Sequence, residues 1–320
     1  MGTNAPAKYA SDGMSGYQNV SREHAGLISI LSAPVCSIPR VIALCTLLVF
    51  PLCTFAQISF DDLRNKLAVG SVEEKRNALF EIRNIHTEDA SRLAIPALSD
   101  QLEIVRATAV SSVIFLPSSE AVRLLLPLLN DPAPFVRRET AFALGKIGDA
   151  SATAALVQDL KKEKEIENRS AAAMALGNIG RGEAVEPLLA ILKRKPSESE
   201  EFVRSAAARS IGEIAQLIRF GKRQKTMPQN FLPEKYKEPL QPDNSPAVML
   251  PSLFDTATTV LGSVLENSRE ADETRRGAAF ALGSIGTAHT IQLLQTHLSS
   301  KDPYLAEICK EALLRIPHAK

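Results

Sequence analysis

The chain has 320 residues, enough for two compact domains or one extended array, and length alone does not choose between them. Its apolar content is carried by Ala, Leu, Ile and Val, with 12 Phe, 4 Tyr and no Trp, which suits many small helix–helix contacts better than one thick core. The formal net charge is +1 and residues 57–320 hold 34 bases and 34 acids, a balance that argues against general nucleic-acid affinity, which needs many phosphate-neutralising Lys and Arg.

Residues 1–24 are polar and without helical periodicity. The stretch 1–40 therefore reads as an extension, either disordered or lying before a true translation start near residues 31–36. Residues 41–55, VIALCTLLVFPLCTF, form an uncharged apolar run behind Arg40 and end in Thr54-Phe55-Ala56. A basic residue, an apolar stretch and small residues at −3 and −1 are the layout of a secretory signal, with cleavage expected after Ala56. The run is short for a spanning helix and Pro51 interrupts it, so no integral membrane span is expected after cleavage.

The rest of the chain, 57–320, is self-similar. Residues 131–160 read DPAPFVRRETAFALGKIGDASATAALVQDL, and partial copies follow at 166–192, 202–214 and 274–298. Aligned on the Leu-Gly or Ile-Gly pair, the anchors are Leu144, Leu176, Ile211 and Leu282, at gaps of 32, 35 and 71. In that register Arg137 corresponds to Arg169, Arg204 and Arg275, and upstream to Arg106 and Lys75, each 31 residues apart. With the half-copy at 302–316, the count is six helix pairs and a C-terminal cap helix.

Each unit reads as two helices. In the first, Ala141, Ala143, Leu144 and Ile147 share one face at helical spacing. Gly145, Gly177, Gly212 and Gly283 recur inside its last turn, where Gly costs about 0.5–1 kcal/mol relative to Ala, so their common register predicts crowding that admits no side chain. Gly148, Gly180 and Gly286 suit the left-handed position that closes a helix. The second helix places Leu156 and Leu160, Leu188 and Leu192, and Leu294 and Leu298 at matching offsets, and Pro96 and Pro127 are expected to kink their second helices. No segment alternates at period 2, so no sheet is expected.

The gap of 71 residues holds an insertion at about 219–246, between the two helices of the fifth pair. Five prolines forbid a regular helix there, and a loop this long is either functional or a solvated, mobile excursion. Arg219, Lys222, Arg223 and Lys225 make its first part basic, and Phe231 and Tyr236 offer aromatic anchors, so the functional alternative is a docking arm. Residues 247–267 then supply an unusually long second helix.

No catalytic or metal-binding pattern stands out. Cys36, Cys45 and Cys53 lie in the N-terminal segment, leaving Cys309 as a lone body cysteine that reads as a small buried hydrophobe. His86, His289, His297 and His318 do not recur at the repeat spacing. Gly-x-Ser-x-Gly, phosphate-loop and dinucleotide fingerprints are absent from the sequence.

The string VRRETAFALGKIGD and its copies resemble HEAT repeats, in the short bacterial form also found in phycobilin lyase subunits, over about residues 60–316. The resemblance implies an all-α solenoid. It also implies a recurrent Arg that pairs with an Asp between units; here an Asp after the second Gly occurs only at Asp149, and Arg106, Arg137, Arg169, Arg204 and Arg275 are read as structural. Some members are enzymes: deoxyhypusine hydroxylase carries iron on His-Glu pairs in several repeats, but this chain contains no His-Glu dipeptide. The expectation is a scaffold or adaptor with no catalytic, cofactor or metal residues, exported to the bacterial cell envelope, that binds protein and not nucleic acid. The rival is a lyase-like enzyme or chaperone that holds a small chromophore.

Overall fold

Helix starts are set by side chains that accept otherwise unpaired backbone N–H groups. In the computed structural model, Ser71 accepts from the Glu74 N–H at 3.3 Å while the Ser71 N–H donates back to Glu74 Oε2 at 2.7 Å. Thr87, Thr287 and Asp302 cap later helices in the same way. The structure describes residues 59–223, 231–237 and 249–316, and the leader and N-terminal extension lie outside them.

The helices run in order: α1 (Phe60–Val69), α2 (Val72–Ile85), α3 (Glu88–Ala94), α4 (Glu103–Ser112), α5 (Ser118–Leu125), α6 (Pro134–Ile147) and α7 (Thr153–Lys162). There follow α8 (Ile166–Ile179), α9 (Val185–Leu192), α10 (Glu201–Phe220), α11 (Leu253–Glu266), α12 (Asp272–Ile285), α13 (Ala288–Gln295) and α14 (Pro303–Arg315). Six pairs run from α2/α3 to α12/α13, and α14 closes the C-terminal end. The fold is an all-α solenoid, with no strand among the described residues. α1 lies outside the repeat register and packs on α2 and α3 at the other end. The insertion separates α10 from α11, and α11 is the longest second helix.

The first helices, α2, α4, α6, α8, α10, α12 and α14, stack side by side as one layer. The recurrent glycines explain how closely. A Cβ on Gly145 would lie 2.7 Å from the Cα of Ala175, and one on Gly212 would lie 2.8 Å from the Cα of Ala281. The same added atom on Gly177 would meet Ser210 Oγ at 2.6 Å, and on Gly283 it would meet Ala312 Cβ at 2.5 Å. Consecutive helices therefore touch nearly backbone to backbone. This layer is the more closely spaced and forms the inner side wherever the stack curves.

The second helices are held in place by leucines: Leu156, Leu160, Leu188, Leu192 and Leu294 are all buried. Leu298 departs from the expected pattern and is exposed. α13 ends at Gln295, and Thr296 Oγ1 donates to the Leu293 carbonyl instead of continuing the helix. Pro96 and Pro127 do not kink a helix either. Each sits at the start of a 3₁₀ turn, Ile95–Ser99 and Leu126–Asn130, that completes its second helix, because a ring nitrogen cannot donate to the carbonyl four residues back.

A ladder of ion pairs joins the units. Lys75 Nζ lies 2.7 Å from Asp100; Arg106 grips both oxygens of Asp131 at 2.8 Å; Arg137 holds Glu163 at 2.6 and 3.0 Å. Arg169 donates to Glu200 at 2.8 Å and Arg204 chelates Glu270. Each acid lies in the turn after the second helix, not after the second Gly, and Asp149 instead caps the turn at Ser151. The arginines also clamp the preceding turn: Arg106 donates to the Asp100 and Gln101 carbonyls, and Arg137 to those of Asp131 and Pro132. At the last unit the two jobs divide. Arg275 takes the Leu265 carbonyl, while its neighbour Arg276 holds Asp302 at 2.8 and 3.0 Å.

The rungs set the acidity of their members. Burial alone would push Glu163 up, but hydrogen bonds from Arg137, two backbone N–H groups and Asn168 hold it down at about 2. Nearby Asp159 goes the other way: burial first, then the charge of Glu163, push it up to about 6. Its Oδ2 is buried without a hydrogen-bond partner. Cys309 is fully buried in α14, and burial pushes its thiol up to about 12, so it is inert at neutral pH.

Candidate functional site

The repeat register places one residue per first helix on the outward surface of the inner layer, two positions before the Leu-Gly pair. Along the stack these residues are Phe80, Ser111, Phe142, Met174, Arg209 and Phe280. Phe80 is 36%, Phe142 39% and Met174 45% exposed, although interior positions one residue away are fully buried. Large apolar side chains thus recur at a register that the stacking of the helices does not bury.

Cations accompany these aromatics. The Arg83 guanidinium lies 5.4 Å from the Phe80 ring centre and that of Arg76 lies 6.0 Å from it, while Arg138 lies 5.2 Å from the Phe135 ring. α4 ends at Ser112, about a turn short of the register at which α2 and α6 stop. Its residue in the outward row, Ser111, is small and part-buried, and Ala107 beneath it is buried. The layer is therefore notched, and the charge of Arg83 on α2 reaches Glu139 on α6 across the gap. Burial raises the Glu139 carboxyl above its ordinary value despite Arg138 and Arg83, which act to lower it.

Of the expected arm residues, Arg219 is not in the loop. It occupies the last turn of α10 and donates to the Ser284 and Ile285 carbonyls at 2.7 and 2.8 Å, where α12 leaves carbonyls without intrahelical partners. Lys222 and Arg223 follow the helix end at Gly221, and Arg223 donates to Asn178 Oδ1 on α8. Phe231 is exposed but packs its ring 4.4 Å from that of Tyr304 at the start of α14. Tyr236 is exposed beneath Lys235. Lys225 lies outside the described residues. The structure thus brings Arg223 and Phe231 onto the first-helix layer at α8 and α14 and does not gather the arm into one cluster. Sequence reading passed over the exposed row itself. The signal was available as apolar residues at a solvent register, once the repeat register was fixed.

Among the described residues, no three His, Cys, Asp or Glu side chains converge as a metal site would require. His86 instead closes α2 in the left-handed conformation (φ 58°) and packs 4.8 Å from the Phe115 ring, and His297 is tied to its own turn. Likewise, no described helix is long and apolar enough to cross a membrane.

Comparison with known proteins agrees with this architecture. Residues 91–165 and 153–217 match the family described as HEAT repeats, and residues 274–300 match the PBS lyase HEAT-like repeat. These stretches of the chain are HEAT repeats. Deoxyhypusine hydroxylase-B of Oryza sativa subsp. japonica is 23% identical over 272 residues, 79% of this chain and 90% of that one. The HEAT array is also similar to the complex of CpcE and CpcF of phycocyanin lyase from Nostoc sp. PCC7120, at 18% identity and a TM-score of 0.44, covering 82% of this chain and 97% of that one. A crystallised engineered protein is 21% identical with a TM-score of 0.47, covering 78% of this chain and 66% of that chain.

Proposed function

We propose that this HEAT array is a non-catalytic protein-binding scaffold, exported to the bacterial cell envelope, whose partner lies along the first-helix layer. The observation that carries the reading is the aligned exposure of Phe80, Phe142 and Met174 on the outward face of the first-helix layer. Anchors of this kind supply most of an interface's binding energy when they are desolvated in a pocket. The insertion is read as a second contact, in which Lys222, Arg223 and Lys225 steer the partner while Phe231 and Tyr236 meet it. Export is supported by the apolar run 41–55 behind Arg40 and the small residues ending at Ala56.

Capture from the native envelope fraction tests the reading. The mature chain should retain a partner that Phe142→Ser with Met174→Ser loses, while its helical spectrum and melting curve stay unchanged. Equal capture by the double variant contradicts the face assignment. N-terminal sequencing of the exported chain should begin at Gln57. The match of residues 274–300 to the PBS lyase type favours one alternative, a lyase-like holder of a chromophore. An uncleaved cytoplasmic chain carrying a visible-absorbing ligand would establish that alternative.

A further inference from the structure

The reading above leaves the partner's chemistry open, and the notch between α2 and α6 narrows it. The ladder cations are each held by an acid at the junction that follows them. The cations around the notch stand outside the ladder. Arg76, Arg83 and Lys146 make no ion pair among the described residues, and Arg76 Nε is buried without a hydrogen-bond partner. Arg138 has only Glu139, at 3.7 Å. The acids on the same surface are Glu139, whose carboxyl burial holds above its ordinary value, and Glu73 in the first turn of α2.

Guanidinium groups stacked on ring faces are held in place, and they keep their in-plane N–H groups free to donate to a carboxylate. Such groups flank the notch on both sides, over Phe80 and Phe135, with Phe142 exposed between them and a floor of small residues. A positive rim around an apolar trough complements a segment of opposite pattern.

We infer that the notch formed by α2, α4 and α6 takes an acidic peptide segment carrying apolar anchors, its carboxylates on Arg76, Arg83 and Lys146 and its anchors against Phe80 and Phe142. This inference rests on the reading that the first-helix layer is the binding face. It adds that the segment is acidic and sits at the N-terminal end of the array. Glu139, which lies within reach of the Arg83 and Arg138 charges, is an acid that such a segment must overcome, so removing its charge should strengthen binding.

The test uses the mature chain and three fluorescein-labelled peptides: Asp/Glu with Phe and Leu anchors, the same anchors with Lys/Arg, and Asp/Glu with no anchors. Anisotropy should rank the anchored acidic peptide first, with affinity that falls as salt is raised. Arg83→Glu should weaken it about tenfold or more, and Glu139→Gln should strengthen it several-fold. A gain of affinity cannot be mimicked by a damaged fold, and far-UV circular dichroism checks Arg83→Glu. If the basic peptide binds better and Phe142→Ser abolishes that binding, the acidic assignment is overturned while the face assignment stands. If no peptide binds, or only vesicles of anionic lipid do, the inference is overturned. If Phe142→Ser leaves peptide binding unchanged, the face assignment fails with it.

Discussion

The two halves of the first-helix layer share an interior and differ on their surface. From α2 to α8 the outward row presents Phe80, Phe142 and Met174 to solvent, beside cations without acidic partners. From α10 to α14 the same register holds Arg209, which pairs with Glu213, and a part-buried Phe280; Arg276 is committed to Asp302, and Phe231 of the insertion covers the ring of Tyr304. Inside, nothing changes. Gly145 and Gly283 admit the next helix in the same way, and a rung joins the units in both halves. The difference teaches that stacking fixes the buried positions of each unit and leaves the outward positions free to diverge. Function is therefore to be sought in departures from the repeat rather than in the repeat itself.

The sharpest way to break the shared interior is at the junction that spans the insertion. Arg204 is 1% exposed, and besides Glu270 it donates to the carbonyls of Ile191, Leu192 and Arg194. Arg204→Ala leaves a buried carboxylate and several carbonyls unpaired, so chemical denaturation should show a loss of about 3–5 kcal/mol. Cooperativity between the two halves should weaken with it, because neighbouring units communicate only through their junctions.

A smaller effect is expected from Gly145→Ala. Alanine gains about 0.5–1 kcal/mol of helix propensity, but its Cβ collides with the Ala175 backbone and forces the layer apart, so the variant should be net destabilised by about 1–2 kcal/mol in thermal unfolding. An unchanged or raised melting temperature would show that the layer yields easily there.

Asp159→Asn should act in the opposite direction. Asp159 has a folded pKa of about 6, above its unfolded value, so the fold prefers the neutral carboxyl. Stability from this group is full in acid and is lost as pH rises through about 6. The variant should therefore exceed wild type above that pH, by on the order of 1–2 kcal/mol after solvent screening, and the gain should vanish in acid. Glu163 is the counterpart: its folded pKa of about 2 lies below its unfolded value, so its contribution holds at neutral pH and is lost as pH falls toward that value.

Much of the interior was legible in the sequence because stacking imposes a period. The Arg register, the crowded glycines and the left-handed closures at Gly148, Gly180 and Gly286 all follow from it. The acidic half of the ladder is less legible: Asp100, Asp131 and Glu163 recur at nearly the repeat spacing, but in the turn after the second helix and not in the turn after the second Gly. The later acids hid for a different reason: the turn before Glu200 is longer, and the insertion carries Glu270 66 residues from Arg204. Arg276 displaced Arg275 as the last rung because two adjacent arginines share the register position, and only packing decides which one reaches forward. The candidate face was harder to see, since an exposed Phe and a buried one look alike until neighbouring helices fix the register.

Site-specific photo-crosslinking in the native cell tests the binding face most directly. A photoreactive residue would replace Phe142 or Met174 on the first-helix layer, and Gln158 or Ala190 at exposed positions of α7 and α9. The account predicts a discrete protein adduct from Phe142 and Met174 and none from Gln158 or Ala190. Adducts confined to the second-helix positions, or none from Phe142 and Met174 while the chain is folded and abundant, would contradict it.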